Sequence, residues 1–304
     1  MIFSINNTTE GDIYSMRQIL PPTRMMVLGA SLLWLALGLA GCGQAATAPE
    51  AAATVPSDAL AALTLPEIEA VDLHGRALRV IATTSIIGDV VDQVGGEAIE
   101  LTTLMGPGQD PHSYEPSAND LTSVAQADVI FVNGWDLEEA LVGNLATIGA
   151  EALVVPVSAG ITPRAFAHTD AEDDPGHEEH GGVDPHTWFA VSNVEQWTDN
   201  IAQVLSGLDP AQQDTFAANA AAYQRELAKL QTDIVAQLAV VPAEKRTLVT
   251  NHESFGYFAD AYDFETLGTV IPAMSTLAEP SANDVAGLIA VMAEHNLCTI
   301  FTET

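Results

Sequence analysis

The sequence predicts an α/β fold of two lobes, in which parallel sheets are flanked by helices and one long rigid connector helix joins the lobes. Short apolar runs rich in Val, Ile and Leu alternate with segments of helical periodicity, which is the pattern of βαβ units. One periodic stretch between two sets of these units is unusually long, since about 30 residues at about 1.5 Å each make a rod of about 45 Å. We therefore expect it to connect two lobes rather than to cross over within one sheet.

The first 41 residues are predicted to be a lipoprotein signal peptide. Arg17 and Arg24 precede an uncharged, largely apolar run from Met25 to Gly41, and small residues stand directly before Cys42. This ending resembles the bacterial lipobox, in which the cysteine is lipidated and becomes the new N-terminus. A membrane-spanning helix is the alternative, because the run approaches the minimum length for a bilayer core.

Residues 42–72 are predicted to be a flexible tether, because they are rich in Ala, Thr, Pro and Glu and have no strong periodicity. Together with the signal peptide, this segment places the folded part outside the cytoplasm. We expect it to be anchored to the cell membrane through lipid on Cys42.

The N-terminal α/β lobe is predicted over residues 73–208. Its candidate strands are short apolar runs at 78–82, 99–104, 129–133 and 153–157. Candidate helices lie between and after them at about 86–95, 117–126, 137–146 and 192–205.

The connector helix is predicted over residues 209–241. Asp209 and Pro210 supply an N-cap and a first-turn proline, and Pro242 ends the periodic pattern. Apolar residues repeat at steps of three and four throughout this stretch, which is typical of a helix with one buried face.

The C-terminal α/β lobe is predicted over residues 242–304. Its candidate strands lie at 247–250, 264–270 and 298–301. One helix is expected from about residue 254, and another opens at Ser281, which stands in capping-box relation to Asp284. With three βα units against four in the first lobe, we expect this lobe to be incomplete.

Charge and cysteine content exclude two classes of protein. The chain has 9 basic and 41 acidic residues, a net charge of 9 − 41 = −32, which argues against a nucleic-acid partner because binding to phosphates rests on Lys and Arg. Two cysteines are too few for a disulfide framework. With 48% apolar residues, a folded core is nevertheless expected.

Three histidines lie in loops next to predicted strands or helices. His112 ends the tripeptide Asp110-Pro111-His112, His186 ends a second Asp-Pro-His tripeptide, and His252 follows the strand predicted at 247–250. Ligands of open parallel sheets bind beyond the carboxyl ends of strands, and three neutral imidazoles are enough to hold a zinc ion. Taken singly, each could equally be an ordinary loop histidine.

A second group of histidines lies in a short acidic tract. His168, His177 and His180 stand among six Asp and Glu residues. Such tracts bind divalent metals weakly, so this segment is predicted to be an accessory metal-collecting loop. The alternative is a solvated loop without a binding role.

These features resemble the solute-binding lipoproteins of zinc and manganese ABC importers, the ZnuA-like and TroA-like family. One matching motif is the lipobox that ends at Cys42. The others recur in family order from about residue 78 to 303, and they comprise both Asp-Pro-His tripeptides, Asn133-Gly134, the run from His252 to Phe258, and Glu279-Pro280-Ser281. The resemblance implies a non-enzymatic monomer that holds a metal ion between its lobes with His112, His186 and His252. It also implies delivery to the transmembrane permease and a fourth, carboxylate ligand, which we expect beyond the end of this chain.

Ligand chemistry favours Zn²⁺ over Mn²⁺, because manganese prefers carboxylates to imidazoles. A manganese-binding member of the same family, of the kind often labelled adhesins, is the main alternative. A secreted zinc hydrolase is a further one, but the sequence has no helical pair of histidines with a positioned base between them. A structural or adhesive lipoprotein would show no saturable metal binding.

Overall fold

The computed structural model describes residues 61–138, 141, 148, 151–165 and 182–302, all within one compact unit, Ala53–Thr304. The predicted signal peptide, Cys42, the metal-collecting histidines His168, His177 and His180, and most of the helix predicted at 137–146 lie outside these residues. In the described part of the chain, no helix is both long enough and apolar enough to cross a membrane.

Four parallel strands form the first sheet, in the order β2-β1-β3-β4. They are β1 (Leu78–Ala82), β2 (Ile99–Thr103), β3 (Val129–Val132) and β4 (Leu153–Pro156). Every residue of β3 and all but Arg79 of β1 are buried, as expected for central strands covered on both faces. All four strands confirm the sequence prediction to within one residue at their ends.

Helices α1 (Ser85–Gly95), α2 (Ala118–Val124) and α3 (Val191–Leu208) accompany this sheet. Thr84 caps α1 by accepting the Ile87 N–H, and Ser117 forms a capping box at the start of α2. Helix α3 buries Trp197 and its apolar neighbours one and two turns on, in the core that α1 and the sheet share. These helices are the covering layers that the alternating pattern predicts.

The predicted long helix is α4 (Gln213–Leu238), which follows a short 3₁₀ turn at Pro210–Gln212. Its buried residues are Phe216, Ala220 and Leu227, and the first two belong to the hydrophobic core that covers the first sheet. Its C-terminal end instead contacts the second part of the fold, where Arg246, directly before the next strand, donates to the Leu238 carbonyl at 3.4 Å. A long helix in contact with both parts is confirmed, whereas its rigidity and the domain boundaries stay predictions.

The second sheet pairs β5 (Thr247–Thr250) with β6 (Glu265–Thr269) in parallel. Helices α5 (Gly256–Tyr262) and α6 (Ala282–Glu294) accompany it, and the predicted capping box of Ser281 and Asp284 opens α6. The strand predicted at 298–301 is reduced to one parallel bridge, in which Phe301 pairs with Thr250. A run that short makes only two backbone hydrogen bonds to β5 and its loop, at 2.8 Å each.

Candidate metal centre

The two Asp-Pro-His tripeptides fold into the same local turn. In each, an aspartate Oδ1 accepts the backbone N–H of the histidine two residues later, at 3.0 Å from Asp110 to His112 and at 3.0 Å from Asp184 to His186. Aspartate favours such turns because its short side chain can mimic a backbone acceptor. The repeated sequence therefore presents two imidazoles on similarly braced loops.

The third histidine lies on the loop that follows β5. Thr250, at the end of that strand, is fully buried, and its hydroxyl donates to the His252 carbonyl at 2.8 Å. The carboxyl end of a parallel strand thus positions this imidazole, as the sequence analysis expects.

The structure brings His112, His186 and His252 together in one buried group. Their exposed fractions are 3%, 0% and 2%, and their candidate ligand atoms all lie within 4.8 Å of one another. The Nε2 atom of His186 is 3.3 Å from that of His112 and 3.1 Å from that of His252. Two nitrogens bound at about 2.05 Å to one tetrahedral zinc ion are about 3.4 Å apart, so this spacing fits a single ion.

Burial keeps two of these imidazoles, those of His112 and His252, in the neutral form that binds metal. It lowers the pKa of His112 to about 4, an effect that the nearby His186 reinforces. It lowers the pKa of His252 to about 3, again with the neighbouring imidazoles reinforcing the shift. Since a ligating imidazole must be neutral, these two side chains are ready to bind at neutral pH.

A buried carboxylate orients the central imidazole. Oδ1 of Asp184, which is 2% exposed as a residue, lies 2.9 Å from Nδ1 of His186, so that Nε2 points into the group. Partners of this kind fix the ring orientation and raise the basicity of a metal ligand. Asp184 Oδ2 is in turn 3.7 Å from the Arg164 guanidinium, and we call these two residues the supporting ion pair.

Sequence analysis did not single out the supporting ion pair. Asp184 opens the second Asp-Pro-His tripeptide, but nothing in the sequence pairs it with Arg164, which lies four residues before His168. One signal was available, because Arg164 is among only 9 basic residues in a chain with 41 acidic ones. Its Nε donates to Asp260 of α5 at 3.0 Å, which ties the two parts of the site together.

A cleft of about 300 Å³ opens beside the histidines, lined by residues that include Thr84, Trp188, His252 and Thr276. Two kinds of contact join the loops of the two sheets in this region. The Thr276 hydroxyl donates to Asp110 Oδ2, and the rings of Phe189 and Phe255 stack at 4.4 Å between centroids. The position of His252 relative to the other two imidazoles therefore depends on these cross-contacts.

Among the described residues, the group that could hold a metal consists of the three histidines, without a carboxylate. Glu253 is the nearest carboxylate in sequence, and burial raises its pKa to about 7. The fourth ligand that the family resemblance implies is thus not supplied by the described part of the chain.

Comparison with known proteins gives a consistent result. Residues 80–304 match the family described as "Zinc-uptake complex component A periplasmic". The chain is 34% identical over 230 residues to the manganese-binding lipoprotein MntA of Halalkalibacterium halodurans, an alignment that covers 76% of this chain and 72% of that protein. It is 35% identical over 229 residues to the zinc-binding protein TroA of Treponema pallidum, with 74% and 70% covered.

Solved structures agree with this. The periplasmic zinc-binding protein TroA from Treponema pallidum superposes with a TM-score of 0.63 at 33% identity, over 74% of this chain and 78% of that one. A manganese-bound periplasmic metal-binding protein from Candidatus Liberibacter asiaticus gives a TM-score of 0.64 at 26% identity, over 75% and 80%.

Proposed function

The chain belongs to the family of periplasmic zinc-uptake component A proteins, and on that premise we propose that it captures Zn²⁺ for import. It is a metal-binding, substrate-binding protein of an ABC importer, and it is not an enzyme, which confirms the prediction made from the family resemblance. In our proposal, His112, His186 and His252 hold the ion in the cleft between the two sheets. The loaded protein then passes the ion to the transmembrane permease.

One observation carries this proposal: three buried imidazoles turn their ligand atoms toward a common point. An all-nitrogen set from this chain suits Zn²⁺ better than Mn²⁺, which prefers carboxylate oxygens. Relatives described as zinc-binding and as manganese-binding both exist, so manganese is the alternative cargo. Adhesion has no specific support from these relatives.

We further propose that the protein works outside the cytoplasm, as a monomer held to the membrane by lipid on Cys42. Two relatives that are described as lipoproteins support this, as does the family's description as periplasmic. In the same proposal, His168, His177 and His180 collect metal beside the site. Deleting residues 168–182 should then lower uptake at limiting zinc without changing the affinity of the purified protein.

Titration of the purified protein with Zn²⁺ and Mn²⁺, each in competition with a metal indicator, tests the site. His112→Ala, His186→Ala and His252→Ala should each weaken zinc binding by at least about 100-fold, since even outer partners of a ligand are worth 10–100-fold. His74→Ala is the matched control, because that imidazole is 84% exposed and does not belong to the buried group. Unchanged affinity in all three variants would overturn the site, and tighter binding of manganese would overturn the choice of metal.

A further inference from the structure

A second buried polar cluster lies behind the metal centre, where β1 and β3 end. Glu138 is 1% exposed, and its Oε1 accepts hydrogen bonds from the Thr83 hydroxyl and from the Asn133 backbone N–H, the latter at 2.9 Å. Thr83 directly follows β1 and Asn133 directly follows β3. One carboxyl group therefore ties together the carboxyl ends of two adjacent strands.

This cluster reaches the metal centre through the side chain of Asn133. Its Nδ2 donates to the carbonyl of Pro185 at 2.8 Å, one residue before His186, and to the Gly134 carbonyl at 3.0 Å. Both amide hydrogens are thus used, which fixes the orientation of the amide. On the other side of the same loop, the Thr187 hydroxyl lies 3.0 Å from that of Ser158.

The cluster has more acceptors than donors. Glu138 Oε2 and Asn133 Oδ1 are buried, and neither has a hydrogen-bond partner among the described residues. No Lys or Arg in the described ranges forms an ion pair with Glu138, and the nearby Asp136 disfavours a second negative charge. An unpaired buried carboxylate is costly, whereas a carboxylic acid would add the donor that these oxygens require.

We propose that Glu138 is a positioning residue of the metal site, which acts as a neutral carboxylic acid and holds the His186 loop through Asn133. Burial also raises the pKa of this carboxyl, in the direction that the proposal requires. In the described part of the chain, the side chain of Glu138 accepts hydrogen bonds from Thr83 and Asn133 and from none of the three histidines. Its effect on the metal therefore passes through the Asn133 amide and the Pro185 carbonyl. The positioning role rests on the proposed function, because it is measured as zinc affinity. The neutral state of the Glu138 carboxyl rests on the hydrogen bonds alone.

Three variants separate positioning from simple stability. Glu138→Gln preserves a neutral donor and acceptor, so zinc affinity should stay within about twofold of the wild type. Glu138→Leu and Asn133→Ala each break the link to Pro185 and should weaken zinc binding by about 10-fold or more, as outer partners of a ligand do. Val129→Ala, in the fully buried start of β3, is the control for loss of stability without loss of the link.

The visible absorption of the Co²⁺-loaded protein provides the readout that a merely structural role would not move. Glu138→Leu and Asn133→Ala should change its shape, because His186 is misplaced, while Val129→Ala should leave it unchanged at a comparable loss of thermal stability. If Glu138→Leu does not fold, Asn133→Ala alone carries this comparison. Spectra and affinities equal to those of Val129→Ala would overturn the positioning role.

Infrared difference spectra of the wild type and Glu138→Gln test the protonation state without any metal. The carbonyl band of a protonated carboxylic acid should be present in the wild type at neutral pH and absent in the variant. Its absence from the wild type would overturn the neutral-acid assignment. If the wild type bound no zinc at all, the proposed function and the positioning role would fail together, and the infrared result would still decide the state of Glu138.

Discussion

Replacing Asp184 by asparagine tests how much the carboxylate behind His186 contributes to metal binding. Asp184 Oδ1 accepts a hydrogen bond from the backbone N–H of His186 at 3.0 Å and lies 2.9 Å from Nδ1 of the same residue. Asparagine has nearly the same shape and keeps one acceptor oxygen, so the turn should survive. The negative charge that polarises the imidazole is lost, and so is the attraction to Arg164 at 3.7 Å.

The expected cost follows from the role of this carboxylate. Outer-shell partners of a histidine ligand are worth 10–100-fold in metal affinity, which corresponds to about 1.4–2.7 kcal/mol. We expect the upper part of this range, because Asp184 is only 2% exposed and water cannot replace it. The loss should appear mainly as faster release, since the approach of the ion to the cleft is unaltered.

Asp260→Asn is the matched control for this prediction. Asp260 binds the same guanidinium at 3.0 Å, but its side chain is 65% exposed, and exposed ion pairs contribute only about 0–1 kcal/mol. Zinc affinity is measured by competition with an indicator, and release by stopped-flow mixing with excess chelator. An effect of Asp184→Asn below about threefold, or one no larger than that of Asp260→Asn, would refute the role of the carboxylate.

Three further predictions follow from contacts around the site. In Gly256→Ala, the added methyl group would overlap both members of the supporting ion pair, so zinc affinity should fall. Gly287→Ala in α6 is the control, because there is open space around that position. It should leave zinc affinity unchanged and raise the free energy of unfolding by about 0.5–1 kcal/mol. Thr276→Val should speed zinc release in stopped-flow measurements by removing the hydroxyl that spans the cleft, and Thr276→Ser should not; equal rates would contradict this. In the folded, metal-free protein, the pKa is about 4 for His112 and about 3 for His252, whereas imidazoles of the unfolded chain titrate near 6.5. Below pH about 6.5, the unfolded chain therefore binds more protons than the folded protein does. Stability in urea should therefore fall from pH about 6.5 towards about 4, by up to about 1.4 kcal/mol per pH unit for each histidine, and a double alanine variant that shows the same slope would contradict this.

The first sheet was predictable because its central strands are covered on both faces. Val129–Val132 is a run of four buried apolar residues, and such a run is evident in the sequence without knowledge of its neighbours. The capping box of Ser281 is equally local. Residues 298–301 have the same apolar character, but only Phe301 pairs with another strand, so composition alone overstated the length of this strand.

The ligands were predictable for a similar reason, whereas their supports were not. Each Asp-Pro-His turn is closed by a hydrogen bond between residues two apart, so the tripeptide itself indicates the structure. Arg164 meets Asp260 across 96 positions, Thr276 meets Asp110 across 166, and the Thr83 hydroxyl meets a carboxylate 55 positions on. No periodicity or spacing rule relates residues so far apart, because only the packed fold brings them into contact.

The distribution of ligands over the fold indicates how the ion could be released. His112 and His186 lie on loops of the first sheet, whereas His252 follows β5 of the second. The contacts that hold the second group of loops against the first include an aromatic stack, one hydroxyl on a carboxylate, and a guanidinium bound to an exposed aspartate. The Tyr257 hydroxyl adds two hydrogen bonds, since it accepts the Arg164 backbone N–H at 3.2 Å and donates to the Thr162 carbonyl at 3.4 Å. A permease that loosened these contacts would withdraw one imidazole of three while the first two stayed braced by their own turns. Because each ligand contributes strongly to affinity, a small displacement of the second sheet's loops would be enough to turn tight binding into release.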